Sequence, residues 1–281
     1  NQKHDLLDLF LTTYVERYPD DPYNAYYLLL VAEHQRRLDA LPFAAYYYER
    51  IVKNHPDLLI ENDRSIHRIC LTNLIELVDE SEIRVGYYKE LISRFGDTIE
   101  TGSTYYDLAS TYEELGEWDL AMQFYKEFLK YPDAQIKGVP NVHEEVRNLV
   151  TLYDLPRKDW AFESLDRLIA NIAWAIRTQR SNTLNALRSQ VGFFARAWDE
   201  EQSETPLELV GDIGAYLKNR IVIWPEVDRD SNNQEAYLRT TGWGFRIRTW
   251  YLYFRKIHFP ADPEIHGQWE WAGIYLGEKP Y

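Results

Sequence analysis

Residues 103–132 read STYYDLASTYEELGEWDLAMQFYKEFLKYP. Apolar and aromatic side chains recur at Tyr105, Leu108, Ala109 and Tyr112, then at Leu120, Ala121, Phe124 and Phe128. That spacing is helical, since a strand would alternate. Gly116 separates the two runs, where a glycine closes a first helix in the left-handed conformation. Pro132 ends the second run, because proline has no N–H to give a continuing helix. The stretch predicts one helical hairpin.

Similar pairs precede it. Residues 6–19 have the character of a second helix, with Leu7, Phe10, Leu11, Tyr14 and Val15 on one face and Pro19 at the end. Residues 23–56 predict a hairpin with Tyr26, Leu29, Leu30 and Ala32 on its first helix and Ala44, Ala45, Tyr48, Ile51 and Val52 on its second. Pro42 stands near the start of that second helix, where a missing N–H costs nothing. Residues 64–96 predict a degenerate third hairpin around Ile66, Ile69, Leu71 and Leu74, then Val85, Tyr88, Leu91 and Ile92. The terminators Pro19, Pro56, Gly96 and Pro132 are nearly evenly spaced. Self-similarity at such a period marks a repeat array. Each hairpin has an apolar side that only a neighbour can cover, so the array is expected to stack into a solenoid.

Tyr105, Leu108–Ala109, Tyr112, Gly116, Ala121, Tyr125 and Pro132 together resemble the tetratricopeptide repeat pattern. Ala109 stands where Gly is common, and Pro132 comes one residue early. The ending Phe-Leu-Lys-Tyr-Pro is similar to the variant of bacterial cell-envelope lipoproteins of this family. The resemblance covers residues 6–132. It implies an all-α solenoid over residues 1–156 whose first helices line a concave face for a protein or peptide partner. The inward positions it implies are Tyr106, Ser110, Glu113 and Glu114 in the best unit, and Tyr27, Leu30, His34 and Arg37 in the 23–56 unit. A merely solvated polar face is the competing reading. The envelope flavour implies a periplasmic location, with any lipid anchor lying before Asn1; a cytoplasmic location is the alternative. The chain starts without Met, so a leader or tag is expected to have been removed.

Residues 133–159 break the pattern. Gly138-Val139-Pro140 is a turn, Asn141 a cap for a short helix over 143–152, and Leu155-Pro156-Arg157-Lys158 a linker. A second domain, 157–281, is expected to be α+β, with a curved antiparallel sheet packed on helices. Helices are predicted over 160–178, 183–189 and 206–218. Strands are predicted over 191–198, 220–224, 235–240, 245–259 and 268–276. In the long strand Trp250, Leu252 and Phe254 share one face while Tyr251, Tyr253 and Ile257 share the other, so both faces are covered. The last two strands are joined by the loop 260–267 and are expected to be antiparallel neighbours. The element order resembles the nuclear transport factor two-like fold, which implies a conical cavity; another α+β roll is the alternative. Trp198, Trp250 and Trp271 would line that cavity's mouth, or else belong to an aromatic core.

The 281 residues carry a net charge of −14 and nine Trp with 22 Tyr. A nucleic-acid binder needs a basic stripe, and none is visible. Anionic membrane surfaces are disfavoured for the same reason, so a membrane enters only through an anchor outside this sequence. No stretch is apolar enough to span a bilayer. The one cysteine, Cys70, lies in an apolar helical run and reads as a buried thiol. Asp228-Arg229-Asp230-Ser231-Asn232 begins like a calcium loop, but Asn233 and Arg239 stand where Gly and the bidentate Glu belong. His143-Glu144-Glu145 lacks the second His of a zinc-protease helix. His258 and His266 flank a loop with Asp262 and Glu264 but have no third ligand placed by spacing. Arg246 and Arg248 share a strand face, to read an anion or to face water. No phosphate loop or serine elbow is present. No metal, cofactor or catalytic set is indicated, and the expectation is a non-catalytic interaction scaffold, with a carrier of an apolar ligand as alternative.

Overall fold

The computed structural model describes residues 2–198, 211–244 and 247–280. Its contacts divide the chain into two compact units, residues 1–146 and 147–281. The dividing point lies inside one helix, Val142–Asp154, ahead of the linker read at 155–158.

The first unit is helical. Its helices are α1 (Gln2–Arg17), α2 (Asn24–Arg37), α3 (Leu41–Asn54), α4 (Ile66–Leu77), α5 (Ser81–Phe95), α6 (Thr101–Glu114) and α7 (Trp118–Phe128). The helix that crosses into the second unit is α8 (Val142–Asp154). From α1 to α7 each helix packs on the next in sequence, and α2 also touches α4. Two short strands, β1 (Leu59–Ile60) and β2 (Arg64–Ser65), pair antiparallel before α4. Ser65 caps α4 by accepting from the Arg68 N–H at 3.0 Å, satisfying one of the helix's orphan donors.

The α2–α3 and α6–α7 hairpins share one local design. Gly116 has φ +72° and Asp39 φ +59°, both left-handed, at equivalent points of the two turns. The Gly116 N–H donates to Glu113 O at 2.9 Å and that of Glu117 to Tyr112 O at 2.9 Å; Asp39 and Ala40 do the same to Arg36 and Gln35, at 3.1 and 2.9 Å. This is the paired helix ending that a left-handed residue permits. The buried positions match as well. Val31, Ala32, Ala44, Tyr48 and Ile51 correspond in order to Leu108, Ala109, Ala121, Tyr125 and Phe128, and all ten are buried. Small alanines where helices cross let the backbones approach; larger side chains there would overpack.

Some inward assignments are corrected. Tyr26 and Leu30 are exposed, while Leu28 and Val31 fill the core of α2. Leu7 and Phe10 of α1 face solvent, and only the Leu11–Val15 side is buried. An amphipathic helix with adjacent apolar residues leaves its phase ambiguous by about 100° per residue.

The second unit is a sheet with helices on one face. Strands β3 (Phe194–Ala197), β4 (Val222–Ile223), β5 (Glu235–Thr241), β6 (Thr249–Lys256) and β7 (Trp269–Leu276) lie in the order β3-β7-β6-β5-β4. The last two strands are antiparallel neighbours. β3 runs parallel to β7, so the sheet is mixed rather than wholly antiparallel. On one face Leu238, Leu252, Phe254, Trp271 and Ile274 pack with Leu168, Ile172 and Ile176 of α9 (Leu165–Arg177) and Leu184 of α10 (Ser181–Ala186).

The expected helix over 160–178 starts only at Leu165. Phe162 instead exchanges both backbone bonds with Trp269, at 2.9 and 2.7 Å, and Trp160 is buried with its indole N–H on Glu270. Pairing with the sheet overrides a helical pattern there. The expected helix 206–218 is represented among the described residues by a short 3₁₀ turn, Ile213–Tyr216. Residues 206–210 lie outside them, as do Phe245 and Arg246 of the long strand.

Candidate functional site

The hairpins bring a recurrent side-chain arrangement to the first helices. On α6, Tyr106, Ser110 and Glu113 lie one turn apart, and all three are half-buried. Tyr106 meets Tyr125 and Phe128 of α7 edge-on, with centroids 5.6 and 5.5 Å apart. Tyr125 is buried, and its hydroxyl donates to Glu113 Oε2 at 2.7 Å. Ser110 also bonds the Tyr125 hydroxyl. Burial pushes the Glu113 carboxyl above its ordinary value, and the Tyr125 bond only partly offsets this. Burial and the adjoining carboxylate push the Tyr125 phenol strongly up, so it stays a donor at any working pH. Glu114 is exposed and is held by Ser81 and Arg84 of α5.

The α2–α3 hairpin repeats the device. The buried Tyr48 of α3 donates to Glu33 Oε1 of α2 at 2.7 Å. Glu33 is equivalent to Ser110, and Arg36 to Glu113. Arg36 is exposed and bonds Glu76 of α4 at 3.2 Å. In both hairpins a buried tyrosine reaches through from the second helix and fixes a carboxylate on the first.

The register corrects the site residues expected on α2. Tyr27 packs edge-on against Tyr14 of α1, with centroids 5.6 Å apart. His34 Nδ1 lies 2.6 Å from Asp8 Oδ2, which also accepts from Gln35 at 2.8 Å. These two side chains turn toward α1 instead of sharing the face marked by Tyr106, Ser110 and Glu113. Leu30 and Arg37 are exposed. The positions matching the α6 trio are Leu29, Glu33 and Arg36, one residue earlier. The signal was available: the interval from Ala32 to Ala44 equals that from Ala109 to Ala121, which fixes the alignment.

The three tryptophans do not line one cavity. Trp250 and Trp271 are buried in the helix-covered core; Trp250 stacks on Trp243 at 4.5 Å, and the Trp271 indole donates to Gly273 O. Trp198 lies on the opposite sheet face, stacked on Tyr275 at 4.3 Å and edge-on to Tyr251. Trp198 follows the end of β3 and sits over Tyr251 and Tyr275, which point away from the core that holds Trp250 and Trp271, because successive strand residues face opposite sides. A hollow of about 920 Å³ does exist in this unit, lined by Ile169, Trp174, Ile223, Trp224 and Val227 among others.

The remaining candidates have local partners. The Asp228–Asp230 loop is joined to Lys279, whose Nζ lies 3.2 Å from Asp228 Oδ1 and also bonds Asp230. His266 Nδ1 accepts from the Phe259 N–H at 3.0 Å, and Asp262 pairs with Lys158. His143 bonds Tyr131 O at 2.9 Å and packs on Phe128. Cys70 is fully buried, and burial raises its thiol. Among the described residues no group of three acids, histidines or cysteines is placed to hold a metal. None of their helices is long and apolar enough to cross a membrane.

No family model matches the chain, and no curated protein matches it. A crystal structure of MamA resembles it with 16% identity and a TM-score of 0.32, over 54% of this chain and 81% of that one. So distant a likeness adds nothing to what the helices themselves display.

Proposed function

We propose that the chain is a non-catalytic protein-interaction scaffold that receives a protein or peptide segment along its first helices. The observation behind this reading is the tyrosine-fixed carboxylate on two hairpins, Tyr48–Glu33 and Tyr125–Glu113. A carboxylate has about four lone-pair positions, and one tyrosine bond leaves acceptor capacity on the helix face. Holding the group by a buried donor costs a ligand less ordering entropy on binding. Tyr106 and Ser110 supply the adjoining aromatic and hydroxyl surface, as binding surfaces commonly do. The partner is expected to bring basic or amide donors to Glu33 and Glu113.

On this reading the hairpins form a tetratricopeptide-like solenoid with its first helices inward, and the ending at Pro132 supports a periplasmic, lipid-tethered location. The apolar-carrier alternative is dropped, since its three tryptophans fall on two sheet faces. The test is charge reversal at the two carboxylates. A chain carrying Glu33→Lys and Glu113→Lys is expected to stay folded and to lose the proteins that co-purify with the unaltered chain from cells that make it. Retention of the same proteins at the same yield would refute the assignment of this face.

A further inference from the structure

We infer that the segment after β7, residues 277–280, is a strap that closes a binding site for a primary alkylammonium group with its own Lys279. The Lys279 ammonium lies over two rings, 5.4 Å from the centroid of Trp198 and 5.0 Å from that of Tyr237. It is 3.2 Å from Asp228 Oδ1 and also bonds Asp230. Ring faces attract a cation, and the two carboxylates accept the N–H donors that an ammonium carries.

The cage is held together without the lysine. The Asp228 N–H donates to Tyr237 O at 2.7 Å, and the Tyr237 N–H donates to Ser231 Oγ at 3.0 Å. Those two bonds pin the 228–231 loop to β5 beside the Tyr237 ring. The Asp230 N–H donates to Asp228 Oδ1 at 3.2 Å, which orients that carboxylate. Trp198 is stacked on Tyr275 at 4.3 Å and has its ring 5.8 Å from that of Tyr237. None of these contacts uses residues 277–280. Removing the Lys279 side chain therefore leaves rings and carboxylates around the place the ammonium held.

The strap has its own anchors. Gly277 turns the chain at the end of β7 with φ +91°, and its N–H donates to Thr249 O at 2.9 Å. Glu278 Oε1 then accepts from Arg239 Nη2 at 2.6 Å and from Thr249 Oγ1 at 2.7 Å. These contacts present Lys279 to the cage as a tethered ligand. A ligand on so short a tether competes at an effective concentration on the order of millimolar. A free ligand of the same chemistry binds only to the fraction of molecules whose strap has lifted.

The shared chemistry is a primary ammonium on an alkyl stem, either a free amine or the lysine of a polypeptide. Calorimetric titration of the full chain with n-butylammonium, and separately with Nα-acetyl-lysine methylamide, tests it at constant ionic strength. The Lys279→Ala chain is expected to bind at a single site, tenfold or more tighter than the unaltered chain, a gain that misfolding would not produce. Adding Asp228→Asn to Lys279→Ala is expected to remove that gain. Equal affinity for the two ligands would mark a free amine as sufficient, and tighter binding of the lysine derivative would mark a polypeptide lysine as the ligand. Tetramethylammonium, which has no N–H to donate, is expected to bind tenfold or more weakly. Binding by Lys279→Ala no better than by the unaltered chain would overturn the inference, as would a gain that survives Asp228→Asn or equal binding of tetramethylammonium.

Discussion

The α2–α3 and α6–α7 hairpins are built on one plan, and the α4–α5 hairpin between them is not. The outer pair share the left-handed turn residue, the two alanines at the crossing and the buried tyrosine that bonds a first-helix glutamate. The middle pair buries His67 instead. Its Nδ1 takes a bond from Arg94 at 2.6 Å, and its Nε2–H bonds His55 O at 2.9 Å. The difference separates what stacking demands from what a surface is free to vary. Small residues at crossings and a way to close the turn are constraints of packing. The polar groups that reach the first-helix face differ from hairpin to hairpin.

That comparison can be broken at matched positions. The largest effect is expected in the crossing cores: Phe128→Ala should cost about 3–5 kcal/mol and Ile51→Ala about 2–5 kcal/mol, measured by urea unfolding. Similar losses would confirm that the two hairpins bear similar load, and a negligible loss at either would break the equivalence. Next come the through-helix bonds. Tyr125→Phe and Tyr48→Phe each leave a partly buried carboxylate without its donor, and each should cost about 1–3 kcal/mol. The turns give a smaller effect of opposite sign. Gly116→Ala forces a Cβ into the left-handed region and should cost about 1 kcal/mol, whereas Asp39→Gly should stabilise by up to about 1 kcal/mol.

The middle hairpin yields a prediction in pH. Burial, reinforced by Arg94, holds the His67 imidazole below its ordinary value of 6.5, and burial does the same at His55. A folded-state value below the unfolded one means that the unfolded chain takes up protons first. The contribution of the neutral imidazoles is therefore complete above pH 6.5 and lost as pH falls through the lowered folded-state values. Melting temperature should fall on acidification below that point, and His67→Gln should flatten the slope. An unchanged slope would assign the loss to other groups.

Much of the first unit was legible because helical repeats write their packing locally. The residues that matter lie within one hairpin, and Gly116, Ala121 and Pro132 punctuate it in plain order. The phase of α2 was not legible from apolar content alone, since the exposed Tyr26 and Leu30 are as apolar as the buried Leu28 and Leu29. Comparing it with α6 residue by residue resolves the ambiguity. In the second unit the alternation along β6 and the pairing of β6 with β7 were readable. The start of α9 was not, because the Phe162–Trp269 pairing joins residues far apart in sequence. The same long range misled the grouping of Trp198 with Trp250 and Trp271, which needs the sheet order to be known.

The central claim is that the face marked by Tyr106, Ser110 and Glu113 meets a protein partner. A photo-crosslinking residue placed at Tyr106, and in a second chain at the exposed Phe43 of α3, tests it directly in cells that make the protein. The account predicts a discrete crosslinked species from position 106 that disappears when Glu113→Lys is added, and none of that species from position 43. Crosslinking from position 43 alone, or a product at 106 indifferent to Glu113→Lys, would contradict it.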